Sequence, residues 1–286
     1  MLKLAALVCL VAIGLGFDHY ARLFEAGLKA IPDDAKLTPR QLVEKYNYNF
    51  EDHYATTKDG YILNVWHITK GTPSKKAVFL QHGLLATGHS FLSNYPNQTV
   101  ALYLIEQGYD VWLGNSRGNT FSRNHTRLSP DKNEFWAWSF DEMAQYDIEA
   151  QVQYVKKQTG AKKVPYIGHS QGTVQMFEAL VRFEDSISED VMCFGALAPV
   201  ARVGNVVTSI IKTITSLHLE TVLEFLGFSE ILPRLWIVSD VAEYVCGNLS
   251  ILCEGLTYAI FDLLPGVDDL DRTAVSYAYF PAGTSL

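Results

Sequence analysis

Gly168-His169-Ser170-Gln171-Gly172 follows directly on the apolar run Val164 to Ile167. No other feature constrains the chain as strongly. A G-x-S-x-G pentapeptide between a strand and a helix makes a sharp turn that lifts the serine hydroxyl clear of a sheet, a nucleophile elbow. The helix opening at Gln171 aims its unpaired N–H groups and its positive dipole end at the same point. A serine hydroxyl attacks a carbonyl only when a base takes its proton and donors stabilise the oxyanion. The pentapeptide thus predicts acyl ester chemistry at Ser170 and sets the search for the other parts.

The segments around it alternate. Ala77 to Gln81, Tyr109 to Leu113, Val164 to Ile167 and Cys193 to Ala198 read as strands. Between them, Val100 to Gln107, the stretch from the capping box at Ser139 to Lys157, and Gln171 to Phe183 read as helices. Upstream, Thr38-Pro39-Arg40-Gln41 is an N-cap with proline at the first helical position. Tyr54 to Thr57 and Tyr61 to Ile68 flank Lys58-Asp59-Gly60 as a hairpin. Such alternation predicts a mostly parallel sheet with crossover helices, an α/β fold. After Pro199 the rhythm breaks. Val206, Val207, Ile210, Ile211, Ile214 and Leu217 form an apolar stripe at helical spacing, read as a helical cap over the sheet.

The remaining composition narrows the setting. A formal charge of -8 over 286 residues excludes a phosphate-backbone binder and leaves neutral substrates open. Lys3 and the apolar Leu4 to Leu15, with Gly14 and Gly16 before Phe17, read as a signal peptide over 1–16, too short to span a bilayer. The expected compartment is outside the cytosol, with no transmembrane segment. Asn97, Asn124 and Asn248 each head a glycosylation sequon. Cys246 and Cys253 are close enough to bridge, and Cys193 reads as a buried thiol.

A second turn, Gln81-His82-Gly83-Leu84-Leu85, stands where a strand ends. An elbow enzyme draws its other oxyanion donor from such a loop, so the backbone N–H groups of Leu84 and Gln171 are the predicted pair. His82 and His169 read as packing or positioning residues, because the activating histidine comes late in this architecture. Asp59, Asp110 and Asp147 read as turn or solvated carboxylates. No H-E-x-x-H or paired C-x-x-C occurs, so neither a metal nor another cofactor is expected.

Taken together, Phe79 to Leu85, Gly108 to Thr120, Gly168 to Thr173, Ser139 to Met143, Ala196 to Val200 and Pro281 to Ser285 closely resemble the acid lipase family, from about Thr38 to the last residue. The resemblance implies an α/β-hydrolase core over 17–198, a helical cap over 199–266 and a return to the core over 267–286. It implies a lipase acting at a lipid–water interface on triacylglycerols, cholesteryl esters or related acyl esters, in a secreted or lysosomal setting. Ser170 takes the role of nucleophile, and Cys246 with Cys253 that of the cap disulfide.

The resemblance also marks a departure. In the family the triad Asp and His lie beyond the Pro-Ala-Gly-Thr-Ser motif, at which this chain ends; they are expected to be absent together with the last strand–helix units. Asp268, Asp269, Asp271 and His218 do not match the family positions. Three readings follow: a lipase incompletely represented, a catalytically inactive secreted lipid-binding homologue, and an acyltransferase using the same serine.

Overall fold

The computed structural model describes residues 32–73, 76–202, 229–231 and 272–285. Its main sheet has seven strands. Six run in the order β1 (Asn49–Thr56), β2 (Tyr61–Thr69), β4 (Asp110–Gly114), β3 (Ala77–Gln81), β6 (Val164–His169), β7 (Val191–Leu197), while the short β5 (Asn124–His125) pairs with β2. The pairs β4–β3, β3–β6 and β6–β7 are parallel, and β1–β2 and β2–β4 antiparallel. This is an α/β sheet of the kind that the alternation predicts, in the α/β-hydrolase arrangement that the resemblance implies.

Each helix has a local cause. α1 (Pro39–Lys45) begins with a complete capping box: Thr38 Oγ1 accepts from the Gln41 N–H at 3.2 Å and Gln41 Oε1 from the Thr38 N–H at 2.9 Å. Such a cap stabilises a helix by about 1 kcal/mol. α2 (Val100–Glu106) is capped by the buried Thr99. The Ser139 capping box opens a single turn at Phe140–Glu142, which widens into a π turn over Met143–Asp147 before α3 (Ile148–Thr159). Gly160 stops α3 in the left-handed region at φ 71°, where a side chain would be strained. α4 (Gln171–Arg182) leaves the elbow, and α5 (Glu184–Asp190), which the sequence reading passes over, turns the chain into β7.

Two apolar clusters sandwich the sheet. One joins α1 and α2 to Trp66, Ile68, Leu80 and Leu113; the other joins α3 and α4 to Phe79, Trp112 and Tyr166. Burial of such side chains contributes about 1.5–3 kcal/mol each. The segment 272–285 packs onto the first cluster through Ala274 and Val275 of α6 (Thr273–Tyr277). Arg272 anchors it, donating to Asp34 Oδ2 at 2.5 Å and to the Ser93 carbonyl at 2.9 Å. β9 (Thr284–Ser285) then pairs antiparallel with β8 (Glu230–Ile231).

Three expectations are corrected. Cys193 is exposed, not buried, because β7 ends the sheet order and carries an open face with Met192 63% and Leu197 39% exposed. The disulfide is not upheld: among the described residues there is none, and the cysteine there, Cys193, is a free thiol. Asp110 and Asp147 are buried at 3% and 1% exposure rather than solvated: Asp147 pairs with the Arg117 guanidinium, and Asp110 lies 3.5 Å from the His67 ring. The signal peptide, the apolar stripe, His218, Cys246, Asn248, Cys253, Asp268, Asp269 and Asp271 lie outside the described residues.

Candidate active site

Ser170 stands between β6 and α4 with φ 51° and ψ −116°. This is a costly conformation for a residue with a Cβ, worth about 1–3 kcal/mol, and such strain persists only where the surroundings enforce it. Here they do. The Ser170 N–H donates to the Leu197 carbonyl at 3.0 Å, and the Ser170 carbonyl accepts from the Thr173 N–H at 2.8 Å and from Thr173 Oγ1 at 2.6 Å. A Cβ on Gly168 would meet the Gly172 carbonyl oxygen at 2.6 Å, and a Cβ on Gly172 would meet the Gln81 carbonyl oxygen at 2.5 Å. Only glycine fits either place, so the motif brings elbow and β3 loop together as backbone on backbone. Gln171 opens α4, where an N–H has no intrahelical partner.

The β3 loop lies against the elbow. A Cβ on Gly83 would stand 3.0 Å from Ser170 Cβ. Leu84 is 48% exposed and Leu85 has φ 58°. The loop is tied on both sides: the Ala86 N–H donates to the Gly83 carbonyl at 3.2 Å and the Ala282 N–H to the Leu85 carbonyl at 2.8 Å. The second bond fastens the Pro281-Ala282-Gly283 segment to this loop, a long-range contact that sequence reading does not reach.

His82 is 2% exposed and fully engaged. Its Nε2 accepts the Ser116 N–H at 3.0 Å, so Nδ1 carries the proton and donates to the Gly83 carbonyl at 2.7 Å. Burial drives its pKa down to about 4, against the pull of the Gly83 carbonyl. A neutral imidazole bonded at both nitrogens holds the loop in place, the positioning role expected of it. Asn119 Nδ2 lies 3.1 Å from the same Nε2. Beneath, Ser116 Oγ accepts from Gln81 Nε2 at 2.9 Å.

Arg117, adjoining Ser116, has a wholly buried side chain. Its Nη1 and Nη2 reach Asp59 at 2.7 and 3.1 Å, and its Nε reaches Asp147 Oδ1 at 2.8 Å. The guanidinium lies 4.0 Å over the Tyr61 ring. Burial works to lower its pKa, but Asp147 and Asp59 hold it above the ordinary value. The cluster joins the hairpin turn, the strand-end loop and the π turn, so it braces the loop from behind. Sequence reading saw Asp59 and Asp147 only as turn or solvated carboxylates, and Arg117 only within a motif.

Among the described residues no hydrogen bond joins the Ser170 hydroxyl to a histidine. His169 is exposed and His89 is buried beside Tyr279. His89, Ala86, Thr87, Tyr277, Tyr279 and Phe280 line an apolar cavity of about 220 Å³ next to the β3 loop. Asn97 and Asn124 are both exposed.

Residues 39–95 match a family described as a partial alpha/beta-hydrolase lipase region, and residues 76–199 match the alpha/beta hydrolase fold. Lipase member K of Homo sapiens is 36% identical over 294 residues, covering 100% of this chain and 71% of that protein. This chain belongs to the acid lipase family. Gastric triacylglycerol lipase of Homo sapiens is 39% identical over 86% of the chain and 63% of its own length. Lipase lipl-5 of Caenorhabditis elegans is 36% identical over 87% and 65%. The chain thus spans roughly two thirds of the length of these relatives, from 63% to 71%. Among solved structures, the Pyrococcus furiosus esterase Pf2001 matches 58% of the chain at 23% identity with a TM-score of 0.41, too distant to add to these relatives. Among the described residues no helix is long and apolar enough to cross a membrane.

Proposed function

We propose that this chain carries the nucleophile and oxyanion donors of a lipase cleaving acyl esters of neutral lipids, such as triacylglycerols or cholesteryl esters. Ser170 Oγ attacks the ester carbonyl carbon and its proton passes to a base. The carbonyl oxygen becomes an oxyanion facing the N–H groups of Leu84 and Gln171. Collapse expels the alcohol, and water then releases the acyl group from Ser170. The strained backbone of Ser170, enforced by Gly168 and Gly172, is the observation that carries this reading. The apolar cavity beside the loop supports a lipid substrate.

A secretory route accompanies the activity, supported by the apolar N-terminal stretch and by exposed sequon asparagines at 97 and 124. In this reading the chain divides into a core over 17–198, a cap over 199–266 and a return over 267–286. The packing of Arg272 to Ser285 back onto the core supports its last part.

A specific observation favours a second reading for these 286 residues alone. His82 is committed to the loop, and no described histidine bonds Ser170. The 286-residue chain then binds lipid ester without turning it over. A fluorophosphonate probe and an emulsified triacylglycerol separate the two. Labelling that Ser170→Ala abolishes, together with hydrolysis, supports the lipase. Tight lipid binding with neither labelling nor hydrolysis supports the inactive homologue, and absence of all three overturns both.

A further inference from the structure

The parallel strands reach Ser170 at their C-terminal ends. A different cluster lies toward the other end, on the face covered by α3. Glu51 and His53 are two apart on β1 and share a face of the strand. Their neighbour across the ladder is His67 on β2, whose Cα partner is Glu51. Two ligands at i and i+2 with a third directly opposite is a spacing that aims three side chains at one point above a sheet. Glu51 Oε2 lies 3.3 Å from His53 Nε2 and 3.6 Å from His67 Nδ1, and the three ligand atoms fall within 4.8 Å of one another. Around a tetrahedral ion with bonds of about 2.0–2.1 Å, ligand atoms stand about 3.4 Å apart.

The outer nitrogen of His53 has a hydrogen-bond partner, while that of His67 is buried with a carboxylate nearby but without a hydrogen bond. His53 Nδ1 lies 3.1 Å from the Tyr154 hydroxyl of α3, and His67 Nε2 lies 3.5 Å from Asp110 Oδ2. Metal-binding histidines have such outer partners, which orient the ring and hold the ligating nitrogen toward the ion. Trp112 stacks on His67 at 4.0 Å with the planes 10° apart, fixing the ring further. His67 is 7% exposed, whereas the Glu51 side chain is 64% exposed, so the site has a buried wall and an open mouth.

We propose that Glu51, His53 and His67 bind a divalent transition metal of the zinc class, with a fourth position open to solvent. Two imidazoles and one carboxylate select such an ion over calcium or magnesium, which prefer oxygen donors. The ion joins β1, an outer strand, to β2, and through Tyr154 to α3. The site shares no residue with the Ser170 machinery.

The test uses the full chain without a histidine tag, stripped by chelator and titrated first with Co²⁺ and then with Zn²⁺. One equivalent of Co²⁺ is expected to give visible d–d absorption that one equivalent of Zn²⁺ abolishes. Glu51→Gln, at an exposed position, and His53→Asn, at a half-buried one, are expected to weaken Zn²⁺ binding at least ~10-fold, and Tyr154→Phe by ~10-fold. Fluorophosphonate labelling of Ser170 is expected to be unchanged in all three. The absence of a stoichiometric band overturns the proposal, as does Zn²⁺ affinity equal to wild type in both Glu51→Gln and His53→Asn.

Discussion

Gly172 lies so close to Gln81 that a Cβ on the glycine would meet the Gln81 carbonyl oxygen at 2.5 Å. The first turn of α4 therefore rests directly on the end of β3. This contact between main chains, with no side chain between them, is one of those that position the elbow and the loop that faces it.

Gly172→Ala places a methyl group against backbone that has no rotamer with which to yield. We expect a loss of about 1–3 kcal/mol in stability and loss of fluorophosphonate labelling at Ser170. Urea unfolding and probe labelling of the same sample check this. Unchanged stability with full labelling would show that the contact relaxes freely.

Ser170 itself is strained at φ 51°. Glycine at this position removes that strain, so Ser170→Gly is expected to stabilise the fold by up to about 1–3 kcal/mol while abolishing labelling. Ser170→Ala abolishes labelling but keeps the strain. A higher Tm in the glycine variant than in the alanine variant is the result that separates the two effects.

Asp147 and Arg117 are paired at 2.7 Å with both side chains at or below 1% exposure. Removing Asp147 leaves the buried Arg117 with only the less buried Asp59 as carboxylate partner, and Asp147→Ala is expected to cost up to about 3–5 kcal/mol. Chemical denaturation gives the value. A loss under about 1 kcal/mol, the range of an exposed pair, would contradict the buried bracing role.

His82 has its pKa lowered from 6.5 to about 4. Between these values the unfolded chain takes up a proton that the folded chain does not, so protonation favours unfolding. Its contribution is fully present above pH 6.5 and declines as pH falls toward about 4. His82→Gln is expected to lower stability at neutral pH yet flatten the slope of stability against pH across this window. Equal slopes in variant and wild type would mean that His82 is not held neutral.

The sequence determined by itself several features whose physics is local. Alternating apolar runs marked the parallel strands, Gly168 and Gly172 marked the elbow, and Thr38 with Gln41 marked a helix start that forms as expected. The loop at His82 and Gly83 was legible because it follows a strand end. What spacing along the chain leaves open is which distant residues meet. Only tertiary structure joined Arg117 to Asp59 and Asp147, tied Ala282 to Leu85, and opposed His67 to Glu51 across the β1–β2 ladder. Cys193 shows the same limit in reverse: its strand reads as buried, yet β7 lies at the end of the sheet and exposes it. Periodicity and turn chemistry act within a few residues, whereas register and burial are settled when distant segments share one core.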